Sequence, residues 1–454
     1  MNLRRHFGFL ILLFLFNTSR AIVPQAIVAR SSLTYSPPSQ ISVWMYWLTP
    51  DGARRIPYTL CASGHTTWGC TAFCDESGYP CDWSQTIAYP YTTNPATVSI
   101  ETDYLLDVLP QEMGTYYHPT ALQAQAIAAR TYAYWHINQG SAINNSTEFQ
   151  VFIPYKFESL YPATFPDNTG NPCASSNLNT DQRIVCNAVA SQYYISYGTS
   201  PNDDLPAFTE FFADAWGQTA SGSQPYLLGV EDPISTGCDA DDDGHGRGMS
   251  QDGAGRWARG NRCSHTGAGD DRWSVRWGHA EQILTHYYTG IHIRDRDGNR
   301  LTPEYRWVPL EVNWHTPDNR VPIMYHDRSY EVTFRVQNSG TITWPGTGQV
   351  YLWYHGWEQT KRGGEVRSLA ALEPGGVREE TVILYPPVAP HPGTPYRLRF
   401  EMFLEVDDEG IGFSEIERGR PWYTYDVVVC VDGPCATYLP LVTAQPLIPD
   451  RRIR

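Results

Sequence analysis

Leu109-Pro110-Gln111-Glu112-Met113, followed by Pro119-Thr120-Ala121-Leu122-Gln123-Ala124-Gln125-Ala126-Ile127-Ala128-Ala129-Arg130-Thr131-Tyr132-Ala133, sets a lone carboxylate just ahead of a helix. Pro119 suits the first helical position, where its missing N–H costs nothing and its fixed φ fits the helix. Ala, Leu and Gln then fill two turns with strong helix formers, and Leu122, Ala126, Ala129 and Ala133 recur at helical spacing. The pattern predicts one buried face of small residues, a closely approaching neighbour and a central place for the helix, ended by Gly140. Gln125 and Arg130 lie off that face by helical phase and, with Glu112, are candidates to line a groove. The ordinary alternative stands beside this reading: Arg130 pairs with a carboxylate and Glu112 is a solvated turn residue.

Composition bounds what such a groove serves. Residues 1–21 open with Arg4 and Arg5, run apolar from Phe7 to Phe16 and close on Ser19-Arg20-Ala21, the pattern of a cleaved secretory signal. That apolar run is shorter than the ~20 residues a membrane span needs, and no later stretch qualifies, so the mature chain is expected to be exported without an integral span. The formal net charge is −15. Such acidity disfavours nucleic acid and anionic membranes as partners. The length suggests two or three domains.

The ten cysteines agree with an oxidising destination. Cys173 with Cys186, Cys238 with Cys263, and Cys430 with Cys435 are natural sequential pairs. Cys61, Cys70, Cys74 and Cys81 crowd one segment, for which disulfides are the expected reading; zinc ligation with His65 is the competing one, against which the absence of a tight C-x-x-C knuckle speaks.

A second constellation is Gly244-His245-Gly246-Arg247-Gly248-Met249-Ser250-Gln251-Asp252-Gly253-Ala254-Gly255. Interleaved glycines describe a backbone that bends closely around something while polar side chains point at it. The loop lacks the signatures of a phosphate loop and of a dinucleotide fingerprint. Asp239, Asp241 and Asp243 begin like a calcium loop, but Ser250 stands where an EF-hand needs a bidentate Glu, leaving a solvated acidic turn or a looser calcium site. A serine hydrolase is disfavoured because no G-x-S-x-G elbow or strand-to-helix corner is evident at Ser250.

Taken in order, Glu112-Met113 before A-L-x-A-Q-A-x-A-A-R-T-Y-A, the G-H-G-x-G-M-S-Q-x-G-A run at 244–254, and Ile283-Leu284-Thr285-His286-Tyr287-Tyr288-Thr289-Gly290 resemble the SpoIID/LytB family of bacterial sporulation and cell-wall remodelling. The resemblance spans about residues 96–293. It implies a lytic transglycosylase that cuts MurNAc–GlcNAc bonds of peptide-free glycan strands, with Glu112 as catalytic acid/base and Gln125, Arg130, His245, Ser250 and Gln251 as substrate-binding residues. The LytB side of the family implies the alternative, a noncatalytic wall-binding enhancer of an amidase. Asp252 stands where the family commonly carries Tyr, which bears on glycan choice. Some relatives hold zinc through His and Cys after the long helix; His136 is present here without such a cysteine, so no metal and no cofactor are expected.

After residue 293 the chain changes character. Residues 294–308 read as a charged linker. Tyr330–Val336, Gln349–Tyr354, Tyr396–Phe400 and Tyr423–Val429 then alternate with period two between turn residues, predicting an all-β sandwich over 309–430. The 338–345 and 396–400 segments resemble the immunoglobulin-like module named for the central domain of the autophagy receptor NBR1, whose role would be wall binding, partner binding or spacing. Residues 22–95 read as strand-rich and Cys-containing, with Ile41–Trp47 a strand; 431–454 read as a tail. The expected whole is an α+β core of the SpoIID/LytB type followed by an immunoglobulin-like sandwich, secreted and cell-wall associated, with glycan strands and a wall amidase as partners.

Overall fold

A computed structural model describes residues 35–48, 55–57, 93–154, 156–160, 171–198, 204–238, 244–267, 269, 271–357 and 367–435. The leader at 1–21, the four clustered cysteines Cys61 to Cys81 with His65, and Asp239, Asp241 and Asp243 lie outside them.

Alternation builds the first strand, β1 (Gln40–Trp44), which buries Ile41 and Val43 and exposes the residues between. β2 (Tyr46–Leu48) and β3 (Arg55–Pro57) pair with each other, so the expected strand is broken at Met45. β4 (Ala96–Ser99) lies antiparallel to β1. A π-helical turn, Ile100–Tyr104, leads directly into α1 (Leu105–Glu112), a helix whose Pro110 withholds one ladder donor two residues before the end. Glu112 therefore closes a helix rather than occupying a solvated turn.

Helix α2 (Pro119–Asn138) starts as the sequence predicts: Pro119 holds the first position, and the His118 ring, at the N-cap, accepts from the Thr120 N–H at 3.2 Å. Gly140 follows its end with φ +64°, a left-handed conformation that costs glycine nothing. The expectation of one buried face is too narrow. From Thr120 to Tyr134 every residue except Gln123 is buried, because α1, α4 (Thr180–Val189), α5 (Gln251–Arg259), α6 (Ala280–Tyr287) and β6 (Tyr194–Tyr197) all pack on it. Alanines at 121, 124, 126, 128, 129 and 133 give these neighbours their close approach.

The shorter elements are fixed by caps and crosslinks. α4 carries a reciprocal capping box, Asn179 with Gln182, and Cys173–Cys186 ties it to the preceding turn. Cys238–Cys263 and Cys430–Cys435 are also bonded, so all three sequential pairs form as read. β5 (Ile143–Asn144) lies parallel to β1, a short helix α3 (Lys156–Ser159) precedes α4, and β7 (Phe211–Phe212) runs parallel to β8 (Met249–Ser250). β9 (Ile291–Arg294) pairs with β6.

The C-terminal region is β-rich. β10 (Trp307–Asn313), β11 (Tyr330–Asn338) and β13 (Val377–Leu384) form one antiparallel sheet. β12 (Val350–His355), β14 (Thr394–Val406), β15 (Glu409–Gly412) and β16 (Tyr425–Val431) form another, in which β14 takes three partners. Rings join the two, with Phe334 of β11 centred 4.9 Å from Phe400 of β14. The whole is thus mixed α+β with a β-rich C-terminal region.

The segment between the helical part and these sheets is held firmly. Arg294 belongs to β9 and Trp307 to β10, while Arg306 is fully buried and donates to the carbonyls of Ile291, Pro303 and Ser339 at 2.6 to 2.9 Å. Trp277 stacks on Trp257 at 4.0 Å and donates its indole N–H to Pro309 O at 3.0 Å; the His286 ring meets Gln337 Oε1 at 2.7 Å. These contacts join the helices to β10 and β11. Trp277→Ala should therefore cost about 3–5 kcal/mol through its cavity, and Trp277→Phe about 1–3 kcal/mol through the orphaned Pro309 carbonyl. Denaturant unfolding followed by tryptophan fluorescence and far-UV dichroism checks both, and the two signals should shift together.

Candidate active site

Glu112 is presented by the end of α1 to a point where three other segments converge. Its Oε1 accepts a hydrogen bond from the Val151 backbone N–H at 2.6 Å. That N–H is aimed by its neighbour: the Gln150 amide accepts from Tyr104 at 2.9 Å and donates to Ala129 O at 3.2 Å, pinning the 150–151 backbone between the π-helical turn and α2. Tyr132 of α2 lies within electrostatic reach of Glu112, as does Tyr104. Gln251, the first residue of α5, approaches from the opposite chain segment and favours the charged carboxylate; its Nε2 is buried without a well-formed hydrogen bond, so the contact is electrostatic rather than a made bond.

Burial dominates the electrostatics. It pushes the Glu112 carboxyl up to about 7, against the lesser opposing pulls of the Val151 N–H and Gln251. The residue keeps a narrow exposed edge while its carboxyl sits among protein atoms. Its position at a helix C-terminus, where unpaired carbonyls point, acts in the same direction as burial. Other acids nearby are spoken for. Glu210 is gripped by Arg247 through two bonds of 2.9 and 2.6 Å, Asp214 by Arg256 at 2.5 and 2.8 Å, and Asp252 by the Tyr117 hydroxyl and the His265 ring, the latter at 2.9 Å. Among the described residues Glu112 has no cationic partner. The arrangement can hold a proton near neutrality and release it to an acceptor brought to the carboxyl.

The remaining sequence candidates separate. Gln125 is completely buried with both amide atoms unpartnered, and by phase it shares the face of α2 that carries Tyr132. Arg130 lies on another face and does not join Glu112: it is wholly buried, forks onto Glu101 at 2.7 and 2.8 Å and donates to Val189 O and Tyr193 O. The ordinary reading of Arg130 is the one the structure bears out. Ser250 is also committed, its Oγ accepting from the Gly253 N–H at 2.9 Å as the N-cap of α5. The strand-to-helix corner judged absent there does exist, β8 into α5, but Ser250 caps it rather than standing free as a nucleophile. His245 is exposed; its Nδ1 accepts from the Arg247 N–H at 3.0 Å, and partial burial lowers its pKa.

The glycines of this loop serve packing more than ligand approach. A Cβ at Gly248, where φ is +76°, would sit 2.0 Å from Glu210 O, and one at Gly253 would sit 2.1 Å from the Tyr287 hydroxyl. Beneath them Asp232, fully buried, receives Trp257, Tyr287 and Ser235 side chains, and its burial raises its pKa to about 6. His136 sits among the rings of Tyr132, Trp135, Phe149 and Phe208, with Nδ1 on Ser141 Oγ at 2.8 Å; burial lowers its pKa to about 4. Tyr132, Glu210 and the Val151 N–H escaped the sequence reading. Only Tyr132 left a signal, seven residues after Gln125 on the same helical face.

Residues 91–200 match the family model SpoIID, Stage II sporulation protein. That match contains Glu112, Gln125, Tyr132 and Val151 and ends before the loop of His245, Ser250 and Gln251. No curated protein matches the chain.

Arg130→Met should destabilise by about 3 kcal/mol, because it strands the Glu101 carboxylate and two backbone carbonyls. Ser250→Ala should cost about 1 kcal/mol, the worth of a helix cap. Equilibrium unfolding measures both; an unchanged Arg130→Met midpoint would contradict a scaffold role.

Proposed function

We propose that this protein is a peptidoglycan lytic transglycosylase that cleaves MurNAc–GlcNAc bonds of denuded glycan strands and leaves 1,6-anhydroMurNAc ends, in cell-wall remodelling or sporulation. The observation that carries this reading is the buried carboxyl of Glu112, raised to about 7 and unpaired by any cation among the described residues, inside the segment that matches the sporulation family. The proposal includes a secreted, cell-wall-associated protein whose leader at 1–21 is removed. It also assigns a SpoIID/LytB-type core to 96–293 and an immunoglobulin-like sandwich to 309–430, joined by 294–308.

A sugar hydrolase ordinarily needs a second carboxylate to activate water or to attack C1. Here one candidate, Glu210, has both oxygens bound to Arg247 and is poorly placed to act as a base. An intramolecular nucleophile removes the need. Protonated Glu112 gives its proton to the glycosidic oxygen as the C1–O bond breaks and the GlcNAc 4-hydroxyl leaves. The resulting carboxylate takes the proton of the MurNAc C6 hydroxyl as O6 bonds to C1, which closes the anhydro ring and returns Glu112 to its acid form. The Val151 N–H and Gln251 stabilise the carboxylate between the two transfers. Gln125, with two unsatisfied amide groups on the Tyr132 face, is suited to an N-acetyl group, and His245 to the outer rim of the strand.

Digestion of amidase-treated strands, with mass analysis of the ends, tests the reaction. Anhydro ends are expected. New reducing ends would replace the reading with a hydrolase, and strand binding with stimulation of an amidase but no cleavage would assign the noncatalytic enhancer. Glu112→Gln should lower turnover by about 10²-fold or more. Because the acid must start protonated, wild-type turnover should fall as pH rises through about 7. Stability follows the same proton: the folded pKa exceeds the unfolded one, so wild type should lose stability relative to Glu112→Gln as pH rises from the normal carboxylate range to about 7. Thermal unfolding across that range checks the sign.

A further inference from the structure

The sheet of β12, β14, β15 and β16 has an outer face unlike that of an ordinary half-buried sheet. Along β12, Leu352 and Tyr354 turn inward and are buried, as do Phe400 and Met402 of β14. By alternation Tyr351, Trp353 and His355, with Glu401, Phe403 and Glu405, line the other side, where polar residues are the rule. Register brings them together: Tyr351 opposes Phe403 and Trp353 opposes Glu401. All of these but Glu401 line a cavity of about 250 Å³, together with Arg367 and Asp408.

We propose that this cavity is a saccharide-binding site that takes a neutral pyranose ring; its assignment to an N-acetylhexosamine chain rests on the function proposed for Glu112. Its size is below the ~300–1,000 Å³ typical of drug-like ligand pockets and suits a single ring held at an open rim. Its wall is rigid. The Tyr351 and Phe403 rings lie nearly parallel with centroids 5.8 Å apart, and the Arg367 guanidinium covers Tyr351 at 4.1 Å. Trp353 is only half-buried, and among the described residues its indole N–H has no hydrogen-bond partner, so both a flat apolar face and a donor are on offer. A pyranose presents the complement: an axial C–H face for an aromatic plane and equatorial hydroxyls for fixed acceptors. Glu405 is held in place by Arg367, and Asp408, on the exposed β14–β15 turn, supplies a second carboxylate.

Charge selects among sugars. The one arginine is committed to Glu405, which leaves Asp408 to set the sign of the rim, so uronates, phosphates and a lactyl carboxylate are disfavoured. The site shares no residue with that of Glu112, and its binding of a neutral pyranose does not depend on the reaction proposed there.

Calorimetric titration of full-length Glu112→Gln protein with N-acetylglucosamine tetrasaccharide tests the inference without interference from cleavage. Saturable binding is expected, weakened about tenfold or more by Trp353→Ala, a loss of at least ~1.4 kcal/mol, with an unchanged melting temperature. Asp408→Asn, which keeps a residue tolerant of the left-handed turn, should weaken binding severalfold and serves where Trp353→Ala fails to fold. Binding that neither variant alters would overturn the proposal, as would no saturable binding, or a preference for a uronic-acid oligosaccharide over the neutral one. Cleavage of denuded strands by the wild type is scored separately, so failure of this site and failure of the Glu112 reading give different results.

Discussion

A twenty-residue helix buried on nearly every side from Thr120 to Tyr134 is the constraint from which the rest follows. Its neighbours approach closely because the side chains between them are alanines, and that closeness forbids water from satisfying polar groups along the helix. Each polar residue on α2 must therefore find protein partners or remain unpaired. Arg130 and Thr131 solve this inside the scaffold, the latter by donating to Ile127 O and accepting from the Ile195 N–H. Gln125 does not solve it. A fully buried amide with neither atom bonded is costly in a closed core, so its position on the Tyr132 face is a place where α2 departs from scaffold logic.

The same dense packing sets the chemistry of Glu112. A carboxyl carried into low-dielectric surroundings either recruits a cation or keeps its proton. Glu210 and Asp214 take the first course, with Arg247 and Arg256 as partners, and Glu112 takes the second. Two neutral groups, a backbone N–H and a carboxamide, favour its charged form. This is enough to make ionisation accessible near neutrality without making it the default. Replacing either by a cation would lower the pKa and remove the acid from its working range.

Much of this was legible in the chain. Pro119, the alanine spacing and Gly140 gave α2 nearly to the residue, and period-two alternation gave β11, β12, β14 and β16. The sequential cysteines paired as their spacing suggested. What could not be read depends on contacts distant in sequence. Helix α1 was hidden by Pro110 and by its brevity, so Glu112 looked like a turn residue. The alanine pattern predicted one buried face, since nothing local reveals that five elements close around the helix. Arg130 was open between groove and scaffold until Glu101 was placed beside it. The glycine loop looked like a ligand cradle, yet Gly248 and Gly253 make room for Glu210 O and Tyr287, partners no local pattern could name.

The C-terminal sheets extend this dependence rather than hanging from it. Tryptophans 273 and 277 donate to successive carbonyls of β10, His286 reaches Gln337 of β11, and Tyr423 reaches back to Glu281 of α6. A flexible tether would let each part sample its own orientation; these donors are buried or partly buried and lose their partners if the parts separate. The helical region and the sheets consequently hold one relative geometry. A sugar ring on the outer face of the β12–β14 sheet would then sit at a fixed offset from Glu112, so that a strand engaging both is bound with an effective concentration set by the protein rather than by a linker. Rigidity at the Trp277 contact is therefore part of how the two surfaces would act on one polymer.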